Sequence, residues 1–434
     1  MSTETSIEKL YEIFSSHPHV STDSRNIVSD SIFFALHGER FDGNRFAADA
    51  LRQGAVLAVV DDESAIPTGV AQEERTRYFK VDDTLGALQA LAKFHRRRLA
   101  LPIIAITGTN GKTTTKELLT AVLSKKFRTS ATRGNLNNHI GVPLTLLSLT
   151  HETEIGIVEM GASSRGEIAL LSGIAQPDYG IITNIGRAHL EGFGGPEGVE
   201  AAKGELYDSL CANGGTAFVR EDDAVLNRMA TSRTGLRTIR YESSVAEGIA
   251  SRLAGTYNRY NIAAAVAVGR HFGVGEDDIR DAIGAYTPTI NRSQVIATNR
   301  NTIIADCYNA NPSSMQAALE WFGSEPLSQL DSHADGKTII IGSMLELGAW
   351  SREEHARIAT IACAQPSINR IFFIGNEFRD ALPDVQMPAG GDVMVFADTA
   401  EVAEYLSRYG LGTRNAVLLK GSRKMALERL IEYL

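Results

Sequence analysis

The 434-residue sequence predicts an α/β fold in three domains with parallel-rich sheets, and three observations carry this. The chain is about three times as long as a typical ~150-residue domain. From Ile103 onward, apolar runs of four or five residues alternate with amphipathic stretches, the pattern of buried strands covered by helices. After Asn291 a second series of the same kind begins. With 43% hydrophobic and 22% charged residues the composition is that of an ordinary globular protein, which excludes a disordered chain, a collagen-like repeat and a disulfide miniprotein.

The N-terminal stretch MSTETSIEKLYEIF lacks the basic and apolar regions of a signal peptide. Residues 1–98 hold short apolar runs, such as Ile32–Leu36 and Ala55–Val60, between turn-forming residues. In the Phe33, Phe34 and Phe41 segment, core packing is the expected role. A helix over Leu85–Arg98 ends in Arg96-Arg97-Arg98. Three cations at a helix C-terminus suit the macrodipole, so a solvated end is expected. Leu101-Pro102 reads as a linker.

Ile103–Ile106, Ile155–Val158 and Gly180–Thr183 read as buried strands. Gly192–Gly198 is glycine-rich but does not fit GxGxxG, because Glu197 fills the last slot, and is expected to be a flexible loop. The pattern breaks between Tyr286 and Asn291. Strands are then expected at Thr302–Ala305, Thr338–Ile341, Arg370–Ile374, Val393–Phe396 and Ala416–Leu419, with a surface loop over Glu325–Gly336. Ser351-Arg352-Glu353-Glu354 fits a capping box opening a helix just after Gly348. The resulting domains are 1–99, 100–290 and 291–434.

The net charge of −9 comes with no broad basic face, so no nucleic-acid partner is expected. No apolar run reaches the ~18 residues needed to cross a bilayer. Cys211, Cys307 and Cys363 are far apart and suggest reduced thiols, not a zinc site. A cytoplasmic protein is the expectation.

Gly108-Thr109-Asn110-Gly111-Lys112-Thr113-Thr114 follows an apolar strand and opens a helix carrying Leu118, Leu119, Val122 and Leu123. That is the context of a phosphate-binding loop. Its glycines let backbone N–H groups turn toward a phosphate, and the helix N-terminus adds positive potential. Lys112 would neutralise the β/γ-phosphates, and Thr113 would offer its hydroxyl to Mg²⁺. The loop is the shorter form, with Ile106 where the common pattern has glycine. Such a loop implies a bound nucleoside triphosphate, leaving GTPase, kinase and ligase all open.

Glu159 closes an apolar strand, where a magnesium ligand belongs beside a phosphate loop; a turn or capping role fits equally. His189 and Lys203 follow further along the chain. By residue type alone they would be a structural histidine and a surface lysine.

Together these segments resemble the Mur ligase family. The resemblance rests on GTNGKTT, the Glu159 strand, NIGRAHLEGFGG and AKGEL in this order. It is sharpened by Thr22-Asp23-Ser24-Arg25, Phe34–Gly43, Asn135–Pro143, Glu159–Ala162 with Gly166-Glu167-Ile168, Asp306–Pro312 and Lys420–Arg423. The matches run from about residue 21 to 425. They are most similar to the members that add D-alanyl-D-alanine to UDP-N-acetylmuramoyl-tripeptide in cytoplasmic peptidoglycan synthesis.

The resemblance implies an N-terminal domain for the UDP substrate, a central P-loop ATPase domain and a C-terminal Rossmann-like domain. It implies ATP and two Mg²⁺, with Thr113, Glu159, His189 and a carbamylated Lys203 as metal ligands, and a monomer. Nucleotide contacts would come from Gly108–Thr114, Asn258, Asn261, Arg292, Asp306 and Tyr308. Tyr257 stands where the family motif often has histidine. Substrate contacts would come from Ser24, Arg25, Arg40, Asn135, Asn137, Asn138 and Arg187, with Asn44 a further candidate and Lys420 and Arg423 candidates for the dipeptide carboxylate; for the three asparagines, turn chemistry fits equally well.

The chemistry agrees with that set. Joining a carboxylate to an amine in water needs activation, and an acyl phosphate made from ATP supplies it. Two anions must then approach each other, which demands concentrated positive charge. Two rival readings remain. A sister ligase for another amino acid would carry a DNPR-type signature or an N-terminal dinucleotide-type glycine loop, and neither is present. A nucleotide-driven switch without ligase chemistry would not need the full metal set.

Overall fold

The structure is a computed structural model that describes residues 3–38, 41–69, 71–288, 291–387 and 392–434. Three main sheets follow one another along the chain. The first is parallel and four-stranded, in the order His19–Ser21, Ser31–Phe34, Leu57–Val60, Tyr78–Lys80. The second is parallel and six-stranded, in the order Arg237–Tyr241, Thr216–Arg220, Tyr179–Ile182, Ile103–Thr107, Ile155–Glu159, Thr129–Ala131. The third is six-stranded, in the order Gln294–Ala297, Thr302–Ala305, Asn415–Lys420, Gly336–Gly342, Arg370–Ile374, Asp392–Phe396; only its first pair is antiparallel.

The central strands are buried because both faces are covered. Ile103–Thr107 is buried at all five positions, as the continuous apolar run requires of a parallel sheet. The connection after this strand leads to the edge strand on one side, and the one after Tyr179–Ile182 leads to the neighbouring strand on the opposite side. A crevice opens at that switch in direction, at the carboxyl ends of the strands.

The first two sheets share one apolar core. The helix Thr84–Leu99, capped by Asp83 on the N–H groups of Leu85 and Gly86, puts Leu88, Leu91 and Ala92 into it with Leu146, Leu171 and Ile103. Arg96 departs from the expected solvated end. It sits on the same helix face as Leu88 and Ala92 and is buried, donating to the Ala175 carbonyl at 3.0 Å and pairing with Asp178 at 2.7 Å. Only Arg97 and Arg98 are exposed.

Four further expectations are corrected. Gly192–Gly198 is not a loop: helices Leu190–Phe193 and Pro196–Asn213 meet there, with Gly194 and Gly195 at positive φ forming the break. Ser351 does not cap its helix. A 3₁₀ turn over Gly348–Trp350 runs straight into Ser351–Cys363, so the backbone is already helical at Trp350 and no side chain caps it. Part of Glu325–Gly336 is ordered as the short helix Leu327–Leu330. Phe33 and Phe34 are fully buried, whereas Phe41 is 45% exposed and stacks on Phe46.

The third sheet has apolar clusters on both faces. One of them takes in Leu190, Phe193, Val199 and Ala202 from the central domain, so the two domains meet over an apolar seam. No disulfide joins Cys211, Cys307 and Cys363. No helix among the described residues is long and apolar enough to cross a membrane.

Candidate active site

The cavity at the crevice has a volume of about 1040 Å³ and is walled by both the central and the C-terminal domain. Its floor is the loop after Ile103–Thr107. Gly108 has φ 137°, and a Cβ there would lie 2.1 Å from Thr183 Oγ1. Gly111 has φ 81°, and its Cβ would lie 2.3 Å from Asn261 Oδ1. Both positions demand glycine on conformation and on space. The helix Lys112–Leu123 starts directly on this turn with no side-chain cap, so its first N–H groups are left for a ligand.

Lys112 Nζ curls back to donate to the Gly108 and Thr109 carbonyls, at 2.7 and 3.0 Å. Loss of solvent around the ammonium lowers its pKa to about 8, Glu159 opposing that and Arg292 adding to it. An anion placed between Lys112 and Arg292 would relieve both cations.

Glu159 is 2% exposed. It accepts from Thr113 Oγ1 at 3.0 Å and from Asn137 Nδ2 at 2.8 Å, and no described cationic side chain pairs with it. A buried carboxylate with only neutral donors is short of positive charge. Lys203 is the opposite case. It is 2% exposed, donates to the Ala162 carbonyl at 3.2 Å and lies over the Phe193 ring at 5.0 Å. It has no carboxylate partner within ion-pair distance among the described residues. Burial lowers its pKa to about 7, and Lys112 adds to that.

His189 also faces this cavity. Its backbone is left-handed, and its Nδ1 meets the Glu346 carboxylate of the C-terminal domain. Burial lowers its pKa, which favours the neutral imidazole that a metal ligand must be. Among the described residues no cluster of three His, Cys, Asp or Glu side chains stands ready for a metal; two of the four expected ligands, Thr113 and Lys203, are of other kinds.

From the central domain, Asn258 and Asn261 bond to each other at 2.8 Å, and Thr115 donates to Asn261 at 3.1 Å. The C-terminal domain contributes the rest of the wall. Arg292 lies over the Tyr308 ring at 3.9 Å, with Arg423 on the same ring at 5.1 Å. Asp306 accepts from Ser293 N at 3.1 Å and pairs with the buried Lys420 at 2.6 Å. Tyr257 bonds to Ser293 at 3.0 Å, and burial raises its pKa.

Thr109 to Thr114, Asn135, Asn137, Asn138, Glu159, His189, Asn258, Asn261, Arg292, Asp306 and Tyr308 thus share one cavity. Gly108 and Lys203 are not part of its lining. Ser24 and Arg25 lie elsewhere, in the N-terminal domain, where Arg25 makes a two-point contact with Asp23 and holds its carboxyl at about 2. Asn44 is spent on His37, Asp42 and Asp61. Arg40 lies outside the described residues.

Arg187 is the exception among those near the crevice. Its guanidinium leaves the cavity to pair with Glu354 at 2.5 Å, because that carboxylate is fully buried in the neighbouring domain. The sequence reading also missed Asn311, which bonds across the domains to Asn110 at 2.7 Å, and Glu346. Asn311 lies inside the quoted Asp306–Pro312 segment and was within reach; nothing in the sequence marks Glu346. A smaller cavity of about 370 Å³ adjoins the first, with Glu346, Ser422, Arg423 and Lys424 in its wall.

Three family models cover the chain in order. They are the Mur ligase family catalytic domain over residues 18–96, the Mur ligase middle domain over 106–244 and the Mur ligase glutamate ligase domain over 291–423. Its relatives include a UDP-N-acetylmuramoyl-tripeptide–D-alanyl-D-alanine ligase of Bacillus subtilis, 36% identical over 82% of this chain and 79% of the relative. Another, of Treponema pallidum, carries the same name and is 34% identical over 95% of this chain and 92% of its own. Similar solved structures include MurF from Acinetobacter baumannii, with TM-score 0.80, 31% identity and coverage of 95% and 92%. The MurF ligase of Thermotoga maritima in complex with ADP has TM-score 0.79 and 26% identity, covering 96% of each chain.

Proposed function

The chain belongs to the Mur ligase family, and within it we propose the activity that its relatives' names carry: ATP-dependent addition of D-alanyl-D-alanine to UDP-N-acetylmuramoyl-tripeptide. The observation that carries this reading is the shared cavity. A phosphate loop from one sheet faces Arg292, Asp306 and Tyr308 from another, and Glu159 and Lys203 are both buried with no ion pair among the described residues.

The tripeptide's terminal carboxylate attacks the γ-phosphorus of ATP. The bond to the β-phosphate oxygen breaks, leaving ADP and an acyl phosphate. The neutral amine of D-alanyl-D-alanine then attacks the acyl carbon, phosphate departs with the C–O electron pair, and the amine's proton is lost to solvent or a base. Lys112 and Arg292 balance the charge of the two approaching anions. Asn258 and Asn261 are assigned to the adenine side, and Asp306 to the ribose. Contact between the domains excludes water, which protects the acyl phosphate from hydrolysis.

The donor set fits Mg²⁺. Glu159 has no cation at ion-pair distance among the described residues, Thr113 offers a hydroxyl beside it and burial lowers the pKa of His189. Thr113 and Glu159 would hold one ion; His189 and a carbamate on Lys203 would hold a second. Bound there, the metal supplies Lewis-acid stabilisation of phosphoryl charge. A carbamate would turn the buried ammonium into the anion that a dication needs, and a pKa of about 7 leaves a large neutral fraction to react with CO₂.

Ser24, Arg25 and Arg40 are assigned to the UDP moiety, and Asn135, Asn137 and Asn138 to the sugar or peptide. Arg423, beside the smaller cavity, is assigned to the dipeptide carboxylate. A cytoplasmic monomer is the reading that accompanies these substrates. The test is phosphate release. It should require both UDP-tripeptide and D-alanyl-D-alanine; ATP turnover indifferent to both would favour a nucleotide switch.

A further inference from the structure

The loop from Asn184 to His189 is anchored on two domains. At its start, Thr109 N donates to the Asn184 carbonyl at 3.0 Å, and Asn184 Nδ2 donates to the Asn110 carbonyl at 3.0 Å. Gly186 N donates to Thr109 Oγ1 at 2.9 Å. These bonds tie it to the phosphate loop. At its end it turns to the other domain: Arg187 N donates to Ser313 Oγ at 2.7 Å, and the Arg187 guanidinium reaches Glu354.

Glu354 has no side-chain exposure. It also holds Arg357 of its own helix at 2.9 Å, and Arg357 in turn donates to Gln316 at 2.6 Å. Arg187 Nε and Glu354 Oε1 have no hydrogen-bond partner among the described residues. Each therefore depends on the charge of the other. Separating the domains would remove the only described countercharge Arg187 has, and would leave the buried carboxylate to Arg357 alone. A pair shielded in this way is screened little by salt and is costly to break from one side.

We propose that Arg187 and Glu354 are a positioning pair: their ion pair sets the fraction of molecules in which the C-terminal domain is closed on the phosphate loop. Arg187 then acts on ATP through the loop it belongs to, without touching substrate. This rests on reading the cavity as the ATP site, and it adds a device specific to these two side chains. Because apparent affinity scales with the closed fraction, a tenfold loss of closed molecules raises the KM for ATP about tenfold. Saturating substrates restore closure, so kcat changes little.

The experiment compares Arg187→Gln, Glu354→Gln, the double variant and Arg357→Gln in the full chain. Two quantities are read: hydrogen exchange of the 184–193 amides without ligand, and steady-state kinetics. Each of the first two variants should raise exchange there and raise the KM for ATP about tenfold, with kcat within about twofold. The double variant should be no worse than either single, and Arg187→Lys should recover part of the loss. Arg357→Gln, which breaks only the contact within one domain, should leave the KM unchanged. Additive losses, unchanged exchange and KM, or an equal KM rise in Arg357→Gln would overturn the proposal. Should Glu354→Gln fail to fold, Arg187→Gln carries the test, its side chain being 38% exposed. Exchange without ligand reads the pair even if the ligase substrates give no turnover, so this inference and the assigned activity fail separately.

Discussion

Asp306 illustrates how a single side chain serves two neighbours. It pairs with the buried Lys420 and accepts from Ser293 N, and ribose is assigned to the same carboxylate. Asp306→Ala should raise the KM for ATP more than it weakens UDP-tripeptide binding, because the residues assigned to UDP lie in another domain. Lys420, left buried without its partner, should lower the melting temperature as well. Titrating both ligands checks this, and equal losses would count against the nucleotide assignment. Lys203 gives a pH prediction with a definite sign. CO₂ adds only to the neutral amine. Burial brings the pKa down to about 7, so the reactive fraction grows as pH rises through 7 and shrinks below it. Protein stripped of CO₂ and returned to ¹³C-bicarbonate should show the carbamate signal at pH 8 and little at pH 6. A bare amine in active, metal-loaded enzyme would remove the modification from the account.

Between residues and domains stands the strand–loop–helix unit around Gly111. Gly111→Ala puts a side chain into a left-handed position, costing about 1–2 kcal/mol, and into contact with Asn261. Weaker ATP binding is expected, with a lower melting temperature; an unaltered ATP titration would mean the phosphate is held elsewhere. This unit was legible because it is local. An apolar run, two glycines and a lysine lie within ten positions, and steric rules act at that range. Elements with non-local partners were not legible. Arg96 looked like a solvated helix end because its partner, Asp178, comes from another part of the chain. The pairing of Arg187 with Glu354 was not legible because Glu354 belongs to another domain. Gly194 and Gly195 were read as a flexible loop, yet the residues between which they turn, Phe193 and Val199, are buried by the C-terminal domain's core. In each case local chemistry fixed the residue type needed, and packing chose its partner.

At the scale of the whole molecule, shared cores predict how the protein comes apart. The first two sheets bury one cluster, in which Leu88 and Leu91 meet Leu146 and Ile103, and Arg96 is stitched into both. Each also has a cluster of its own, but neither can lose the shared one without exposing the other's apolar side chains, so they should unfold as one unit. The third sheet keeps one cluster to itself and shares the other only through the segment from Leu190 to Ala202. Such a seam resembles a domain interface more than a domain interior. Calorimetry of ligand-free protein should therefore show two transitions, one for the joined N-terminal and central domains and one for the C-terminal domain. A non-hydrolysable ATP analogue contacts both sides of the cavity only when they are together, so it should draw the two transitions toward each other. At about a hundred times its dissociation constant it should add about 2.7 kcal/mol to the folded, closed form. Arg96→Met should lower the transition of the joined unit and leave that of the C-terminal domain in place, since its pair lies within the joined unit. Three ligand-free transitions would contradict the shared core, and an analogue that shifts only one of the two would mean the nucleotide is held by one domain alone.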